Sequence, residues 1–462
     1  MTKTLLIFAC IMIFISVIIY AEVEIWTAND LNDVRNNLEE SYIQMADIDL
    51  VDYSVSEGWI PIGTNQDPFS GSFEGNGFTI SNLYIDRPTA DYQGLFGVTS
   101  AVLLSNISLI NANVTANYYV GGLVGKNDDQ SNITNCNSTS IVAGTNYVGG
   151  LVGWNTNNST IMNSHSAGSV AGTDNTGALV GMNYNHSDIT NCFSNGDVFG
   201  NDALGGLVGV NYNFSNITTC YSTGDIFGNN NVGGIVGLNN ISAIHNCYFN
   251  GVIAGNNKVG GLVGYGDGST INNSYSSGVV SGNTYVGGLV GDQTQSITSA
   301  SYWDVEVSGQ SSSAGGEGRI TDEMTYPHAA NTYTSWDFSD IWGEDVGYAV
   351  NNGYPYLQNV TVSVDTPPQV INHNIATYPN PFKRSTSIDF MVDKTTRGVL
   401  SVYNIRGQKV RTLYSGLFEG KVTSHFTWDG QDSAGRQAGS GVYLIILDTD
   451  DFRTQKKVLL TQ

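Results

Sequence analysis

The residues that could perform chemistry are few and regularly spaced. Between Asp91 and Asp304 there is no Glu and no Arg, and Asp197 and Asp225 recur at the interval of a repeat described below. If each repeat forms one turn of a stack, the two carboxyl groups sit on adjacent turns, where they could cleave a polysaccharide by acid and base catalysis, bind a cation weakly, or face solvent. The solvated pair is favoured, because the flanking repeats carry Ser169 and Val252 there and no Lys, Arg or His recurs nearby to hold an acidic sugar.

Other reactive residue types do not form a recognisable site. His165, His186 and His245 occupy different positions within the repeated interval, so they are not expected to converge on a metal. The cysteines after the N-terminal segment are separated by one or two repeat intervals, which marks a repeat rather than a zinc motif or a disulfide framework. The sequence therefore predicts no catalytic residues, no metal and no cofactor. These cysteines are Cys136, Cys192, Cys220 and Cys247.

The charge of the chain restricts its partners. The formal net charge is −23, with only 18 Lys plus Arg, so the protein repels nucleic acid phosphate and anionic lipid. Charged residues make up only 13% and aromatic residues 11%, which argues against disorder and for a large buried core. A nucleic-acid partner is therefore excluded.

A glycine-rich hexapeptide, Val-Gly-Gly-Leu-Val-Gly, sets the period of the middle region. The starts of its copies and variants follow one another at a nearly constant interval, and each period holds three short apolar pieces separated by Gly and Asn. A constant period of this length predicts stacked repeats, and the short β-branched pieces predict a parallel β-solenoid. A propeller is the alternative, although its blades need four strands and longer repeats. The copies start at Tyr92, Val120, Val148, Thr176, Leu204, Val232, Val259 and Val286, so the interval is 28 up to Val232 and 27 after it.

One position of the repeat carries aromatic residues and follows two residues after a recurring Asn. Asn can hydrogen-bond along a column and tolerates a left-handed corner. If the strand runs straight through Asn, the aromatic side chains face inward; if Asn bends the chain, they face outward and form a platform for sugar rings or a partner protein. Both possibilities stay open from the sequence. The candidate ligand-binding residues are Tyr221, Tyr248 and Tyr275.

The N-terminal segment, residues 1–21, has the pattern of a secretory signal. Lys3 precedes sixteen apolar or small residues, and Ala21 is the small residue at the expected cleavage site. An uncleaved membrane anchor and a lipoprotein site at Cys10 are the alternatives. After cleavage, no stable transmembrane segment is expected.

The repeat unit Ile-x-Asn-Cys-Tyr-x-x-Gly-x-Val-x-Gly, followed by the hexapeptide, closely resembles the GLUG motif of bacterial surface and secreted proteins. The resemblance covers roughly 92–299, with a typical leader around 59–77 and a typical exit over 301–357. It implies a scaffold rather than a catalyst. We expect a short helix within 29–38 and large side chains over the open ends of the solenoid. Those side chains are Trp59, Trp303, Trp336 and Trp342.

The C-terminal region resembles the sorting domain of type IX secretion substrates, which is similar to the Ig-like domain of the flagellar hook-capping protein. Cleanly alternating strands from Ala376 onward predict a small β-sandwich. The resemblance implies export by the type IX secretion machinery to the outside or outer-membrane surface of a Gram-negative bacterium. The matching motif residues are Tyr378, Pro379, Asn380, Pro381, Phe382, Gly439, Gly441, Tyr443, Lys456 and Lys457.

The sequence therefore predicts an all-β protein: a parallel β-solenoid of about eight coils, each as long as one repeat interval, with capping segments, followed by an Ig-like sandwich. Its predicted function is non-enzymatic adhesion or binding of a surface glycan or of a host or environmental protein. The alternatives are a solenoid enzyme that cleaves polysaccharide and a purely structural surface-layer component. The predicted segments are a signal (1–21), an N-terminal cap with the first coils (22–91), the repeats (92–299), a C-terminal cap (300–358), a linker (359–375) and the sorting domain (376–462).

Overall fold

The structure is a computed structural model that describes residues 22–360, 375–378, 382–392, 394–404, 409–439, 441–449 and 453–460. The predicted signal and most of the predicted linker lie outside these ranges. The described residues divide into two compact units, one within 22–360 and one within 375–460.

The first unit is a parallel β-solenoid of about nine turns, which confirms the predicted fold class. Eight turns each contribute a strand to an eight-stranded sheet, and seven of these also contribute a strand to a seven-stranded sheet. Equivalent residues of successive turns pair in register, as Val124 with Val152 and Val152 with Val180. The seven-stranded sheet comprises Tyr118–Gly121, Asn146–Gly149, Asp174–Gly177, Asp202–Gly205, Asn230–Gly233, Asn257–Gly260 and Thr284–Gly287. The eight-stranded sheet comprises Phe96–Ser100, Val124–Asp128, Val152–Thr156, Val180–Tyr184, Val208–Tyr212, Val236–Asn240, Val263–Asp267 and Val290–Thr294.

The remaining strands of the solenoid form a sheet of 25 short strands, which also runs through the N-terminal cap. These strands are Val23–Ile25, Ser41–Gln44, Ile48–Asp49, Ser72–Glu74, Thr79–Ser81, Tyr84–Asp86, Leu103–Ser105, Ser108–Thr115, Asn132–Thr134, Asn137–Ala143, Thr160–Met162, His165–Ala171, Asp188–Thr190, Phe193–Ser194, Asp197–Phe199, Asn216–Ser222, Ile226–Phe227, Ala243–Phe249, Val252–Ala254, Thr270–Asn272, Tyr275–Ser276, Val279–Ser281, Ile297–Ser299, Tyr302–Asp304 and Glu317–Arg319. The helices are Ala28–Asp33, Val305–Ser308 and Thr321–Met324, with 3-10 turns at Val34–Asn36 and Val51–Tyr53.

The hexapeptide makes the tight corner between the seven-stranded and eight-stranded sheets. A Cβ atom added to Gly149 would lie 2.0 Å from the carbonyl oxygen of Val152, a distance that no side chain can occupy. The Leu and second Val of each hexapeptide, such as Leu151 and Val152, are fully buried in the solenoid core. The glycines therefore allow the bend, and the residues beside them fill the interior.

A column of buried asparagines crosses the interior along the solenoid axis. The side-chain amides of the first four members each donate to the side-chain oxygen of the next member at 2.8–2.9 Å. All five amides also donate to the main-chain carbonyl of a serine three or four residues further along their own turn. All members are fully buried, so each polar group is satisfied by the turn above or below it. This buried asparagine ladder is Asn127, Asn155, Asn183, Asn211 and Asn239.

The asparagines singled out from the sequence form a different column, on the surface. Asn135, Asn163 and Asn191 have φ of 54°, 49° and 53°, so each makes a left-handed corner. The expected hydrogen bonds along this column occur between Asn191 and Asn163, at 3.3 Å. Because the corner turns the chain, the Ile before it and the Cys after it both face the core, and the following aromatic residue faces outward.

Both ends of the solenoid are capped. The helix Ala28–Asp33 begins at a Thr27–Asp30 capping box, and Trp59 is fully buried in the core beneath the N-terminal cap. Trp303 closes the core at the other end. Trp336 and Trp342 do not: they belong to a second apolar cluster on the outer side of the turns.

The C-terminal unit contains two antiparallel sheets around its own core, as the sandwich prediction requires. In one sheet the strand order is Ala376–Tyr378, Thr386–Met391 and Thr423–Trp428. In the other the strand order is Lys409–Phe418, Thr396–Asn404, Gly441–Thr449 and Arg453–Leu460. A further antiparallel pair, Trp342–Gly343 with Tyr356–Leu357, belongs to the first unit.

We predict that Asn183→Ala lowers the free energy of unfolding by about 3 kcal/mol, because the buried amide of Asn155, the side-chain oxygen of Asn211 and the carbonyl of Ser187 each lose a hydrogen bond. Urea denaturation followed by circular dichroism measures this change. The control is Asn229→Ala, on an exposed amide that donates to Asn201, for which we expect a change within about 0.5 kcal/mol. Equal losses in the two variants would contradict a special role for the buried ladder.

Candidate functional site

The two carboxyl groups considered for catalysis lie on adjacent turns, as the spacing predicts. The Asp197 side chain accepts the backbone N–H of Asp225 at 3.0 Å, and the Asp225 side chain accepts that of Val252 at 3.0 Å. Each carboxylate therefore replaces a main-chain acceptor for the following turn.

The histidines and cysteines have structural surroundings. His165 stacks on Phe193, His186 stacks on Phe214, and the ring of His245 lies 3.2 Å from the amide nitrogen of Asn272. The cysteines are free thiols within the core. Burial raises the pKa of the Cys136 thiol to about 12 and raises the pKa values of two others, Cys192 and Cys220, well above 9.0, so these thiols stay protonated.

The aromatic residues after the surface asparagines form a continuous stack of rings on the outer side of the turns, which we call the covered ladder. Its ring centroids are 5.0 Å apart from Phe193 to Tyr221, 4.8 Å to Tyr248 and 5.2 Å to Tyr275, with planes within 8° of parallel. Tyr302 follows on the next turn. The side chains thus face outward, as one of the two sequence-based alternatives predicted.

The ladder is outward but not open, because a later part of the chain packs over it. This covering segment, residues 320–360, brings Trp336 and Trp342 against the rings, with the Trp342 ring centroid 6.0 Å from that of Tyr275. The Tyr275 hydroxyl donates to the carbonyl of Pro355 at 2.7 Å. A second apolar core therefore forms between the turns and this segment.

The covering segment divides the three tyrosines selected from the sequence. Tyr275 is 0% exposed and Tyr248 is buried, whereas Tyr221 keeps part of its surface in solvent. A ligand could reach Tyr248 or Tyr275 only if residues 320–360 moved away. In the described conformation, Tyr221 is the only one of the three that a ligand can contact.

A second group of stacked rings also faces outward, and it was not predicted from the sequence. Its members belong neither to the solenoid core nor to the covered cluster. Ring centroids are 4.7 Å apart between Tyr92 and Tyr119, 4.9 Å between Tyr119 and Tyr147 and 5.1 Å between Tyr119 and Trp154. The contacts continue from Trp154 to Tyr184, with ring centroids 6.2 Å apart, and from Tyr184 to Tyr212 on the next turn, with centroids 5.8 Å apart. We call this the aromatic flank; its members are Tyr92, Tyr119, Tyr147, Trp154, Tyr184 and Tyr212.

The flank spans two sheets: Trp154, Tyr184 and Tyr212 lie on strands of the eight-stranded sheet. Tyr119 and Tyr147 lie on strands of the seven-stranded sheet, just before the glycine corner. Tyr92, Tyr119 and Tyr147 have φ between 55° and 59°, a conformation that bulky residues rarely adopt. Lys126 holds its ammonium 5.0 Å from the Trp154 ring centroid and forms an ion pair with Asp128. Several of the flank tyrosines recur at the repeat interval, and that spacing is the sequence signal that could have revealed the flank.

The residues of the sorting-domain motif are distributed between the core and the edge of the second unit. Phe382 is buried with its ring edge-on to Trp428 at 5.4 Å, and the Tyr443 hydroxyl donates to the carbonyl of Gly439 at 2.7 Å. Gly441 begins a strand. On the last strand, Lys456 pairs with Ile445 and Lys457 with Leu444, and Tyr378 ends the first strand; Pro379, Asn380 and Pro381 lie outside the described residues.

Comparison with known families matches both regions. Residues 116–143, 144–171 and 200–226 match the family described as "The GLUG motif", and residues 376–461 match "Secretion system C-terminal sorting domain". The chain carries GLUG repeats and a C-terminal sorting domain. The sorting domain indicates a secreted, cell-surface protein that uses the type IX secretion machinery.

Two relatives match short stretches of the chain. The chain is 42% identical over 109 residues to a Gly-rich membrane protein of Evansella cellulosilytica and 40% identical over 121 residues to halomucin of Haloquadratum walsbyi. These matches cover 22% and 24% of this chain but only 13% and 1% of the two relatives. An IgA1 protease structure aligns with a TM-score of 0.41 and 17% identity, over 64% of this chain and 23% of that one.

The described residues contain no group of three or more His, Cys, Asp or Glu side chains arranged to hold a metal ion. No helix among them is long and apolar enough to cross a membrane.

We predict that three tyrosines of the covered ladder, Tyr221, Tyr248 and Tyr275, resist ionisation at alkaline pH. Burial raises the pKa of Tyr221 to about 12 from the ordinary 10.0, and raises the pKa values of Tyr248 and Tyr275 further. Because these folded-state pKa values exceed the unfolded ones, the three tyrosines stabilise the fold fully below pH 10. Tyr221 loses its contribution as the pH rises from 10 through 12, and Tyr248 and Tyr275 lose theirs at higher pH.

Tyrosinate absorbance and circular dichroism, recorded together during an alkaline titration, measure this effect. The ladder tyrosines should ionise only as the β signal is lost, and Tyr221→Phe should make the protein less sensitive to alkali. Complete ionisation of all tyrosines near pH 10 with an intact β signal would contradict the prediction.

Proposed function

We propose that this protein is a non-enzymatic binding protein displayed at the surface of a Gram-negative cell, and that its aromatic flank contacts a glycan or a protein outside the cell. The aromatic flank is the observation that carries the proposal. It presents rings from consecutive turns on a rigid stack, and large aromatic side chains dominate the energetics of recognition surfaces. The sorting domain supports a location where such a surface meets external partners.

The stacking geometry favours contact along several turns. Tyr119 lies between Tyr92 and Tyr147 with planes within 8° of parallel, so neighbouring rings cover its faces. Such rings offer their edges and hydroxyl groups to a ligand, and these donate and accept hydrogen bonds. An extended ligand that crosses several turns would therefore gain more than a single sugar ring stacked on one face. Tyr221 remains a second candidate contact on the covered ladder.

A binding role is supported over catalysis by the surroundings of the acidic pair. Asp197 and Asp225 accept backbone N–H groups of the following turn, which gives both carboxylates a structural function. Two relatives that match part of the chain carry names that denote no reaction.

We predict that Tyr147→Ala combined with Trp154→Ala weakens binding at least tenfold, because it removes the centre of the flank. Screening the full chain on a glycan array and on an array of extracellular proteins measures binding, and circular dichroism checks the fold. The control is Tyr285→Ala, which replaces an exposed tyrosine at the position of the repeat equivalent to Tyr147. We expect it to leave binding unchanged. Loss of binding in the Tyr285 variant alone would contradict the prediction and place the binding site near Tyr285. Assembly of the chain into sheets without any ligand would instead support the structural surface-layer function.

We predict that Asp197→Asn combined with Asp225→Asn leaves both the fold and the binding profile intact, because an amide oxygen still accepts the N–H of the following turn. The measurement is release of reducing ends from the polysaccharides that the wild-type chain binds. We expect no release by either protein. Release by the wild type that the double variant lacks would establish catalysis and overturn the proposed function.

A further inference from the structure

A second exposed apolar surface lies where the chain leaves the eight-stranded sheet. His186, Phe214 and Ile241 occupy this corner in three consecutive turns, each in the left-handed conformation with φ of 59°, 60° and 47°. The Phe214 side chain is 57% exposed and Ile241 is 44% exposed. The His186 ring stacks on Phe214 with centroids 5.4 Å apart. We call Phe214 and Ile241, together with nearby Tyr212, the apolar corner.

The other turns provide an internal comparison for this corner. The left-handed residue at this corner is Ala101, Gln130 and Asn158 in earlier turns, and Gly268 and Gln295 in later ones. These residues are small or polar. A bulky or β-branched residue is disfavoured in the left-handed region, and an exposed apolar side chain gains nothing from burial. Phe214 and Ile241 thus adopt a backbone conformation that disfavours such residues and expose apolar side chains to water. This pattern is expected where a partner covers the side chains.

The apolar corner is continuous with the aromatic flank. Tyr212 is 37% exposed and its ring contacts that of Tyr184 at 5.8 Å. The amides beside the corner are engaged within the molecule: Asn213 donates to Asn185, and Asn185 donates to Asn157. Ile241 has no ring face for a sugar to stack on, and these amides are already hydrogen-bonded. The corner is therefore better suited to aliphatic side chains than to a carbohydrate.

The charge of the surrounding turns indicates the partner. From residue 127 to residue 257 the sequence has seven Asp and no Lys, Arg or Glu. On the flank itself, an ammonium group already lies against a ring and a carboxylate, since Lys126 contacts Trp154 and Asp128. A cationic partner would be attracted to this region, whereas a second copy of the chain, with a net charge of −23, would be repelled.

We propose that the apolar corner is a docking site for a protein segment that presents aliphatic side chains next to Lys or Arg. The inference rests on the proposed function, because it specifies the chemical class of partner that the flank and its adjoining corner bind. The aliphatic groups would cover Phe214 and Ile241, and the basic groups would lie near the acidic turns.

The test uses the full chain and three labelled synthetic peptides of equal length, in which Leu alternates with Lys, Ser with Lys, or Leu with Glu. We expect the Leu–Lys peptide to bind at least tenfold more tightly than the Ser–Lys peptide in fluorescence anisotropy, and the Leu–Glu peptide not to bind. The double variant Phe214→Asn with Ile241→Asn should reduce the affinity for Leu–Lys to that for Ser–Lys. Its melting temperature should not fall, since Asn tolerates the left-handed conformation.

The matched control is Ile297→Asn, which replaces an exposed aliphatic residue, 65% accessible, on a later turn and should not change affinity. Equal binding of the Leu–Lys and Ser–Lys peptides, or full affinity in the double variant, would overturn the inference. The inference would also be overturned if binding of a neutral oligosaccharide, or self-association measured by sedimentation, depended on Phe214 and Ile241. The two proposals can fail separately. If the Phe214 and Ile241 variant keeps its affinity for the Leu–Lys peptide while the Tyr147 and Trp154 variant loses binding to the ligands found on the arrays, this inference fails and the proposed function stands.

Discussion

The in-register hydrogen bonding between successive turns is the constraint on which the remaining features depend. Because Val152 pairs with Val124 on one side and with Val180 on the other, every residue is stacked on its equivalents one repeat away. Any residue type that recurs therefore becomes a column. Buried asparagines can then satisfy one another from turn to turn, and a tight corner without a Cβ, as at Gly149, must recur in each turn. A shift of register would break all columns together.

The two outward columns of aromatic residues differ in whether another part of the chain covers them. The covered ladder is closed by residues 320–360, whose tryptophans and the Pro355 carbonyl complete a second core around Tyr275. The aromatic flank has no such cover within the described part of the chain, and its rings protect one another only by stacking. The same local pattern is thus structural on one side of the turns and available for recognition on another. The difference arises from where one distant segment packs.

Sparse charge is consistent with a scaffold. In the repeats, carboxylates such as Asp197 accept backbone N–H groups, and thiols such as Cys136 fill small slots in the core, where burial raises their pKa. The chemistry that remains accessible is that of rings, amides and a few acidic groups on a regular surface. The sorting domain forms a unit with its own core, so the region that indicates export is separate from the region that carries the repeats.

The sequence alone determined the features that repeat. The constant interval of the hexapeptide predicted the parallel solenoid, and the alternating strands after Ala376 predicted the antiparallel tail, because both depend on local pattern and period. It could not determine which columns are exposed. Whether Tyr248 and Tyr275 face inward depended on a left-handed corner at Asn, and their burial depended on a segment that begins 45 residues after Tyr275. The aromatic flank likewise emerged only when the turns brought Tyr119 and Trp154 together, since exposure is decided by contacts between distant segments and not by spacing within one repeat.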